Sequence, residues 1–387
     1  CFNLFIFPLL QWSQLYWLGI DFLCQNIHMD IVKILFSENS GIIFQSKSKL
    51  NQFFDKEEIS FHEIGKVVNS DCLNIKNYDN TYSFNISKYR DIWFSTSYHF
   101  DKIQTKNKLA RKRFENYKNQ PLEFVFPKRF TGKILKNNNK INAAIIREKG
   151  SNSEREMAYM MSLSGFNVKD VHMTDIISGR ENLEDIKLLV AVGGFSNSDV
   201  LGSAKGWAGS FIYNKKAKQT LNNFFNRDDS MSLGVCNGCQ LFIELGLINN
   251  GHDIKPKMDY NDSGKFECIF TSVKIQESSS IMMKGMEGSN LGVWAAHGEG
   301  KFIFPYDESK YIIPATYSYN EYPANPNGSN YNAAMLTSND GRHLVMMPHL
   351  ERSIYPHNWA HYPNNRNDEV SPWIIAFNNA YNWLKNK

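Results

Sequence analysis

The sequence predicts an α/β protein whose main domain is a doubly wound parallel sheet, preceded by a partial α/β segment. Three observations carry that expectation. From residue 141 onward, short apolar runs of strand length alternate with stretches of helical periodicity. The runs are near-continuous in Val, Ile, Leu and Ala, as in strands buried on both faces. Two of them end directly in glycine-rich turns, Gly193-Gly194 and Gly234-Val235-Cys236-Asn237-Gly238. Sheets of this kind place their sites at the carboxyl ends of strands, so the two turns are expected to meet in one crevice.

The elements follow in order. Ile141 to Ile146 (INAAII) is the first strand. Gly150-Ser151-Asn152-Ser153 with Glu154 and Glu156 reads as a helix start with an N-cap and an acidic first turn. Met157, Met160, Met161 and Leu163 give that helix its apolar face, and Gly165 ends it. Asn167 to His172 is a second strand and Leu188 to Val192 a third. A helix follows at 215–226, and Ser232 to Val235 is the fourth strand, leading into Cys236. Upstream, Gly41 to Gln45 reads as a buried strand and Lys47 to Lys56 as a polar stretch with helical character. Phe61 to Asn69 and Thr81 to Ile86 read as further short elements. Residues 101–140 turn rich in Lys, Arg, Asn and Gln and read as a linker, with the domain boundary at Lys136 to Lys140. The charges from Lys102 to Lys118 read as a solvated linker or helix face.

With 387 residues, 42% hydrophobic and 21% charged, the chain has room for two globular domains. Lys plus Arg number 43 and Asp plus Glu 39, so the net charge of +4 gives no nucleic-acid footprint. Six cysteines, four of them scattered (Cys1, Cys24, Cys72 and Cys268), are too few for a disulfide scaffold, and a reduced, cytoplasmic protein is expected. Residues 1–28 are apolar and aromatic but lack a basic n-region. Pro8, Gln11, Gln14 and Asp21 break the run short of the ~20 residues a spanning helix needs, so no membrane partner is expected. The chain begins with Cys and reads as a fragment, or as a gene model that enters its first domain partway.

Gly234-Val235-Cys236-Asn237-Gly238 has the form of a strand-to-helix elbow with a thiol at its apex. The glycines allow the tight turn. Gln240 to Leu245 is a good helix former, so Cys236 lies at a helix N-terminus, where free N–H groups favour an anion. The Asn237 N–H points where an oxyanion would form. Cys236 and Cys239 also have C-x-x-C spacing, but no Trp precedes the pair and no Pro lies within it. Cys239 is therefore read as a small core residue. A thiol nucleophile needs a base held by a third group. His349 ends the hydrophobic strand Leu344 to Met347, and Glu351 lies two residues on, on the same side if the backbone is extended. His297, between Ala295-Ala296 and Gly298-Glu299-Gly300, is the rival base, read as structural or at a domain interface. His357 and His361 sit in a Pro/Asn/Trp-rich loop and read as surface residues.

Taken together, these segments resemble the class I, triad-type glutamine amidotransferases, a flavodoxin-like fold. They are most similar to the C-terminal glutaminase domain of the large phosphoribosylformylglycinamidine synthases. The resemblance rests on Gly193-Gly194-Phe195-Ser196, Asp199-Val200-Leu201-Gly202, Gly206-Trp207-Ala208 and Gly234 to Gln240. It continues through His297-Gly298-Glu299-Gly300, Tyr322 to Ser329 and Met347 to Arg352. It spans 141–387, with Asn197-Ser198 and Leu350 departing from the usual Tyr-Gly and Pro. Residues 29–100, notably Leu35 to Ile43, resemble the end of the family's synthetase domain. The resemblance implies that Cys236 attacks glutamine, His349 protonates the departing ammonia and Glu351 orients His349. Gly194, Phe195 and Asn237 would hold the oxyanion and the glutamine. It implies no cofactor in the glutaminase domain; ATP and Mg²⁺ belong to upstream synthetase sequence, where formylglycinamide ribonucleotide accepts the ammonia. Two other readings stand beside it: a different Cys–His hydrolase on the same fold, or a truncated, non-catalytic interaction module.

Overall fold

The computed structural model describes residues 19–23, 32, 35–36, 46, 49–59, 61, 64–77, 79–116, 123–135, 137, 140–249 and 251–387. The chain divides into two compact units, Cys1–Ile103 and Gln104–Lys387. The first carries a sheet in the order β2-β1-β3-β4, made of β1 (Gly19–Leu23), β2 (Gly65–Val68), β3 (Cys72–Asn77) and β4 (Asn80–Asn85). It also holds α1 (Asn51–Lys56) and α2 (Ile86–Gln104). β2 and β4 fall where short elements are expected, whereas the strand expected at Gly41 to Gln45 lies outside the described residues. The long α2 was not legible. Its buried residues are Ile86 and Arg90, so no apolar stripe marks it.

In the second unit β5 (Ile141–Arg147), β6 (Phe166–His172), β7 (Leu188–Ala191) and β8 (Met231–Val235) are the four expected strands. They sit in a six-stranded sheet, order β14-β15-β8-β7-β5-β6. Neighbours within β15-β8-β7-β5-β6 run parallel, and β14 (Met335–Thr337) is an antiparallel edge on β15 (His343–Met346). β7 and β8 are buried at every residue, as the unbroken apolar sequence of β7 requires, while β8 buries Ser232 against His343. α4 (Glu154–Leu163), α5 (Met173–Ser178), α6 (Lys205–Tyr213), α7 (Lys215–Asn226), α8 (Asn237–Glu244) and α9 (Ile374–Lys385) accompany the sheet. A second, antiparallel sheet joins β10 (Glu267–Ile275) to β11 (Asn290–His297) and β13 (Ala315–Tyr317). Beside it lies the pair β9 (Lys257–Asp259) and β12 (Lys301–Ile303).

Two local expectations give way. Ser153 precedes α4 but is left-handed (φ 68°) and makes no capping bond. Its hydroxyl instead accepts from Arg352, at 2.9 and 2.7 Å. The stretch 101–140, expected as a linker, contains α3 (Leu109–Asn116) and from Gln104 onward belongs to the second unit. Arg113 pairs with the buried Glu267 at 2.5 Å and bonds Tyr322. Val125 exchanges two backbone hydrogen bonds with Asn290, and Phe124 and Phe126 meet Trp359 edge-on. Among the described residues, no helix is long and apolar enough to cross a membrane.

Candidate active site

β8 delivers Cys236 to the corner between sheet and α8. There the backbone adopts φ 52°, ψ −107°, a conformation a side chain tolerates only when its surroundings enforce it. Both flanking glycines are forced by space. A Cβ on Gly234 would lie 2.6 Å from the Gly238 carbonyl oxygen, and one on Gly238 would lie 2.0 Å from that of Ala191. The Cys236 amide donates to the Met346 carbonyl at 2.8 Å, pinning the elbow to β15. Its thiol faces the Ala296 carbonyl at 3.6 Å.

β7 ends in the second turn. Gly194 has φ +119°, and a Cβ there would lie 2.5 Å from the Gly150 carbonyl oxygen. Asn152 N–H donates to Gly193 O and Phe195 N–H to Gly150 O, both at 2.8 Å. The Phe195 amide is thus occupied. What Phe195 brings to the site is its ring, 5.9 Å from that of Phe266. The amides of Gly194 and Asn237 make no backbone hydrogen bond among the described residues. The Asn237 side chain ties their two loops together. It accepts from Ser196 N–H at 3.2 Å and donates to Gln240 Oε1 at 2.9 Å.

His349 follows β15, and its amide donates to the Trp294 carbonyl at 2.7 Å. Nδ1 bonds Glu351 Oε1 at 2.6 Å, with both side chains fully enclosed. The expected extended path is not how they meet. Leu350 is helical (φ −67°, ψ −31°) and Glu351 opens a 3₁₀ turn, which brings the carboxylate under the ring. Nε2 is left without a partner among the described residues. A Cβ on Gly193 would sit 2.7 Å from His349 Cε1 and 3.4 Å from Cys236 Cβ, so imidazole and thiol flank the same glycine. Burial pulls the imidazole pKa down. The Glu351 carboxylate and the neighbouring Cys236 side chain outweigh it and raise the value to about 9. Burial likewise penalises the Glu351 carboxylate, but its cationic partner holds it below the usual range.

Cys236 and His349 line a cavity of about 260 Å³ together with Gly194 and Phe195. Asn237 contributes beneath it through its side-chain bonds. The cavity also takes in Asp199, Gln240, Glu299, Arg352, Phe266 and His297, none of which was expected there. For Arg352 the signal was its place beside Glu351, and for Gln240 its place one turn past the elbow. Asp199 is raised by burial and, against its backbone hydrogen bond, by the charge of Glu299. His297 is 2% exposed, and burial and the charge of His349 lower its pKa to about 3. Both favour the neutral ring. Cys239 is fully buried, and burial drives its thiol well above the usual range. His357 is exposed and His361 half-buried.

The CobB/CobQ-like glutamine amidotransferase domain family matches residues 140–384. The chain is 38% identical over 95% of its length to a probable phosphoribosylformylglycinamidine synthase, chloroplastic/mitochondrial, of Arabidopsis thaliana, covering 28% of that protein. It is 36% identical over 95% of its length to the phosphoribosylformylglycinamidine synthase of Schizosaccharomyces pombe, covering 30% of it. The chain therefore spans less than a third of these relatives. Among solved structures, PurLQS from Thermotoga maritima aligns with TM-score 0.50 and 22% identity, covering 64% of this chain and all of that one, a likeness of fold.

Proposed function

Since the chain belongs to the CobB/CobQ-like glutamine amidotransferase domain family, we propose that its second unit hydrolyses glutamine through Cys236, His349 and Glu351. The observation that carries the reading is the strained Cys236 corner set across one glycine from a buried, carboxylate-bound imidazole. The thiolate attacks the side-chain amide carbon. The carbonyl oxygen gathers the negative charge against the Gly194 and Asn237 amides, where one donor contributes about 3 kcal/mol in such sites. Collapse breaks the C–N bond, and ammonia departs with the proton of His349 Nε2. The resulting thioester is cleaved by water, whose proton returns through His349 and whose oxygen ends in glutamate. Glu351 holds the ring in the tautomer this requires.

We further propose that the ammonia passes to a synthetase part that uses ATP and Mg²⁺ to convert formylglycinamide ribonucleotide to formylglycinamidine ribonucleotide; the relatives' names support the formylglycinamidine product, and the rest follows from the family resemblance. Residues 29–100 would be the end of that part, and a cytoplasmic location belongs to the same proposal. The test is ammonia release from glutamine together with mapping of the residue alkylated by diazo-oxo-norleucine. Modification elsewhere than Cys236, or peptide hydrolysis without ammonia release, sinks the assignment.

A further inference from the structure

The second buried imidazole of the cavity has no part in that mechanism. His297 closes β11, and its protonation can be read from its neighbours. Asn327 Oδ1 accepts from the Ser329 amide at 3.0 Å and from its hydroxyl at 2.8 Å. The amide nitrogen of Asn327 therefore faces His297 Nε2 at 3.2 Å and the Tyr317 hydroxyl at 3.1 Å. A donor facing Nε2 makes Nε2 the acceptor and leaves the proton on Nδ1. Nδ1 is buried and has no partner among the described residues. An orphaned buried donor costs about 1–3 kcal/mol. Here it belongs to a residue lining the cavity that holds the thiol, which points to a ligand atom that satisfies it.

The chemistry of that atom follows by elimination, resting on the glutamine reading above. Of the substrate's acceptors, the side-chain carbonyl is taken by the Gly194 and Asn237 amides, which leaves the α-carboxylate. The α-ammonium has Asp199 and Glu299 on the same wall to face. Two of the three guanidinium nitrogens of Arg352, Nε and Nη2, are already engaged by Asn152 and Ser153. We propose that His297 is a specificity-determining residue, its neutral Nδ1–H donating to the α-carboxylate of glutamine. Its electroneutrality matters, because a cationic ring here would oppose the imidazolium of His349.

Two substitutions separate this role from a structural one. His297→Gln sets an amide near the Nε2 position, keeping Asn327 partnered while removing the cavity donor. His297→Asn sets an amide nitrogen near Nδ1 and restores it. The full chain is treated with iodoacetamide, and alkylation of Cys236 is followed by mass under increasing L-glutamine or L-glutaminol, whose carboxylate is replaced by hydroxymethyl. Each variant is normalised to its own unprotected rate. In the native protein glutamine should protect at about tenfold lower concentration than glutaminol, or better, the range for a hydrogen bond to a charged group. His297→Gln should abolish that advantage by weakening glutamine alone, and His297→Asn should recover most of it. Native-like glutamine protection in His297→Gln, or equal weakening of both ligands, overturns the assignment. A native protein whose Cys236 glutamine does not protect overturns the glutaminase reading itself, and this inference with it.

Discussion

Glu351→Gln keeps the shape of the side chain and removes its charge from a fully enclosed pair 2.6 Å apart. The imidazole stands at about 9 against an ordinary 6.5, which at 1.36 kcal/mol per unit is about 3 kcal/mol in favour of the cation. Burial acts the other way, so the supporting charges supply more than this, and Glu351 is the largest of them. Its loss should lower the imidazolium pKa by at least one to two units. The alkaline limb of kcat/KM for ammonia release should move down by that amount, and the rate should fall by about 10² to 10⁴ as the ring loses its orientation. Stability carries the same signature. A raised imidazole pKa stabilises the fold below about 6.5, and that contribution disappears as pH rises through about 9. A lowered carboxylate pKa adds stability above its ordinary value, lost as pH falls through the depressed one. The melting difference between native protein and variant should therefore be greatest between about pH 4.5 and 6.5 and narrow above 9. An alkaline limb still near pH 9 in Glu351→Gln, with the rate within threefold of native, would refute the reasoning.

Three further outcomes are expected. Cys236→Ala should abolish ammonia release and diazo-oxo-norleucine labelling, whereas Cys239→Ala should retain both, because Cys239 is buried core; equal loss would revive a C-x-x-C role. Gly194→Ala sets a Cβ 2.5 Å from the Gly150 carbonyl oxygen at φ +119°, so the oxyanion amide should shift and kcat fall about 10²-fold or more, read by steady-state ammonia release. Arg113→Met strips the cationic partner from the buried Glu267 and leaves it the Tyr322 hydroxyl, at a cost of about 1–3 kcal/mol. Calorimetry should show the unfolding transition several degrees lower; an unchanged transition would mean that α3 merely rests on the unit.

What the sequence made legible was whatever repeats a one-dimensional signal. The central residues of β5 and all of β7 and β8 are buried on both faces, so their identity is written in largely apolar runs. The elbow is written in two glycines that no other residue could replace. The 3₁₀ path through Leu350 could not be read, since His-x-Glu spacing suits an extended strand and a turn equally. The packing of 101–140 was hidden because its polar composition imitates a linker while its anchors, Arg113, Phe124, Val125 and Phe126, find partners over 150 residues away. The donor proposed at His297 was hidden for a related reason. Its significance lies in an orphaned Nδ1, which exists only once Asn327 has been oriented by Ser329.

The sheet that the sequence did not announce also settles how thiol and imidazole meet. Cys236 and His349 come from neighbouring parallel strands, and the elbow amide on Met346 fixes their spacing along the sheet. Their height above it is set from outside, by β11. Its Trp294 carbonyl receives the His349 amide, and its Ala296 carbonyl faces the thiol. Carbonyls two residues apart point to the same edge of a strand, and β10 occupies the opposite edge. One strand edge thus gauges both reacting groups and ends in His297, on the wall of the same cavity. A displacement of β11 would disturb the proposed nucleophile, the proposed base and the donor at 297 together, so on that reading the antiparallel sheet is part of the site rather than a cover over it.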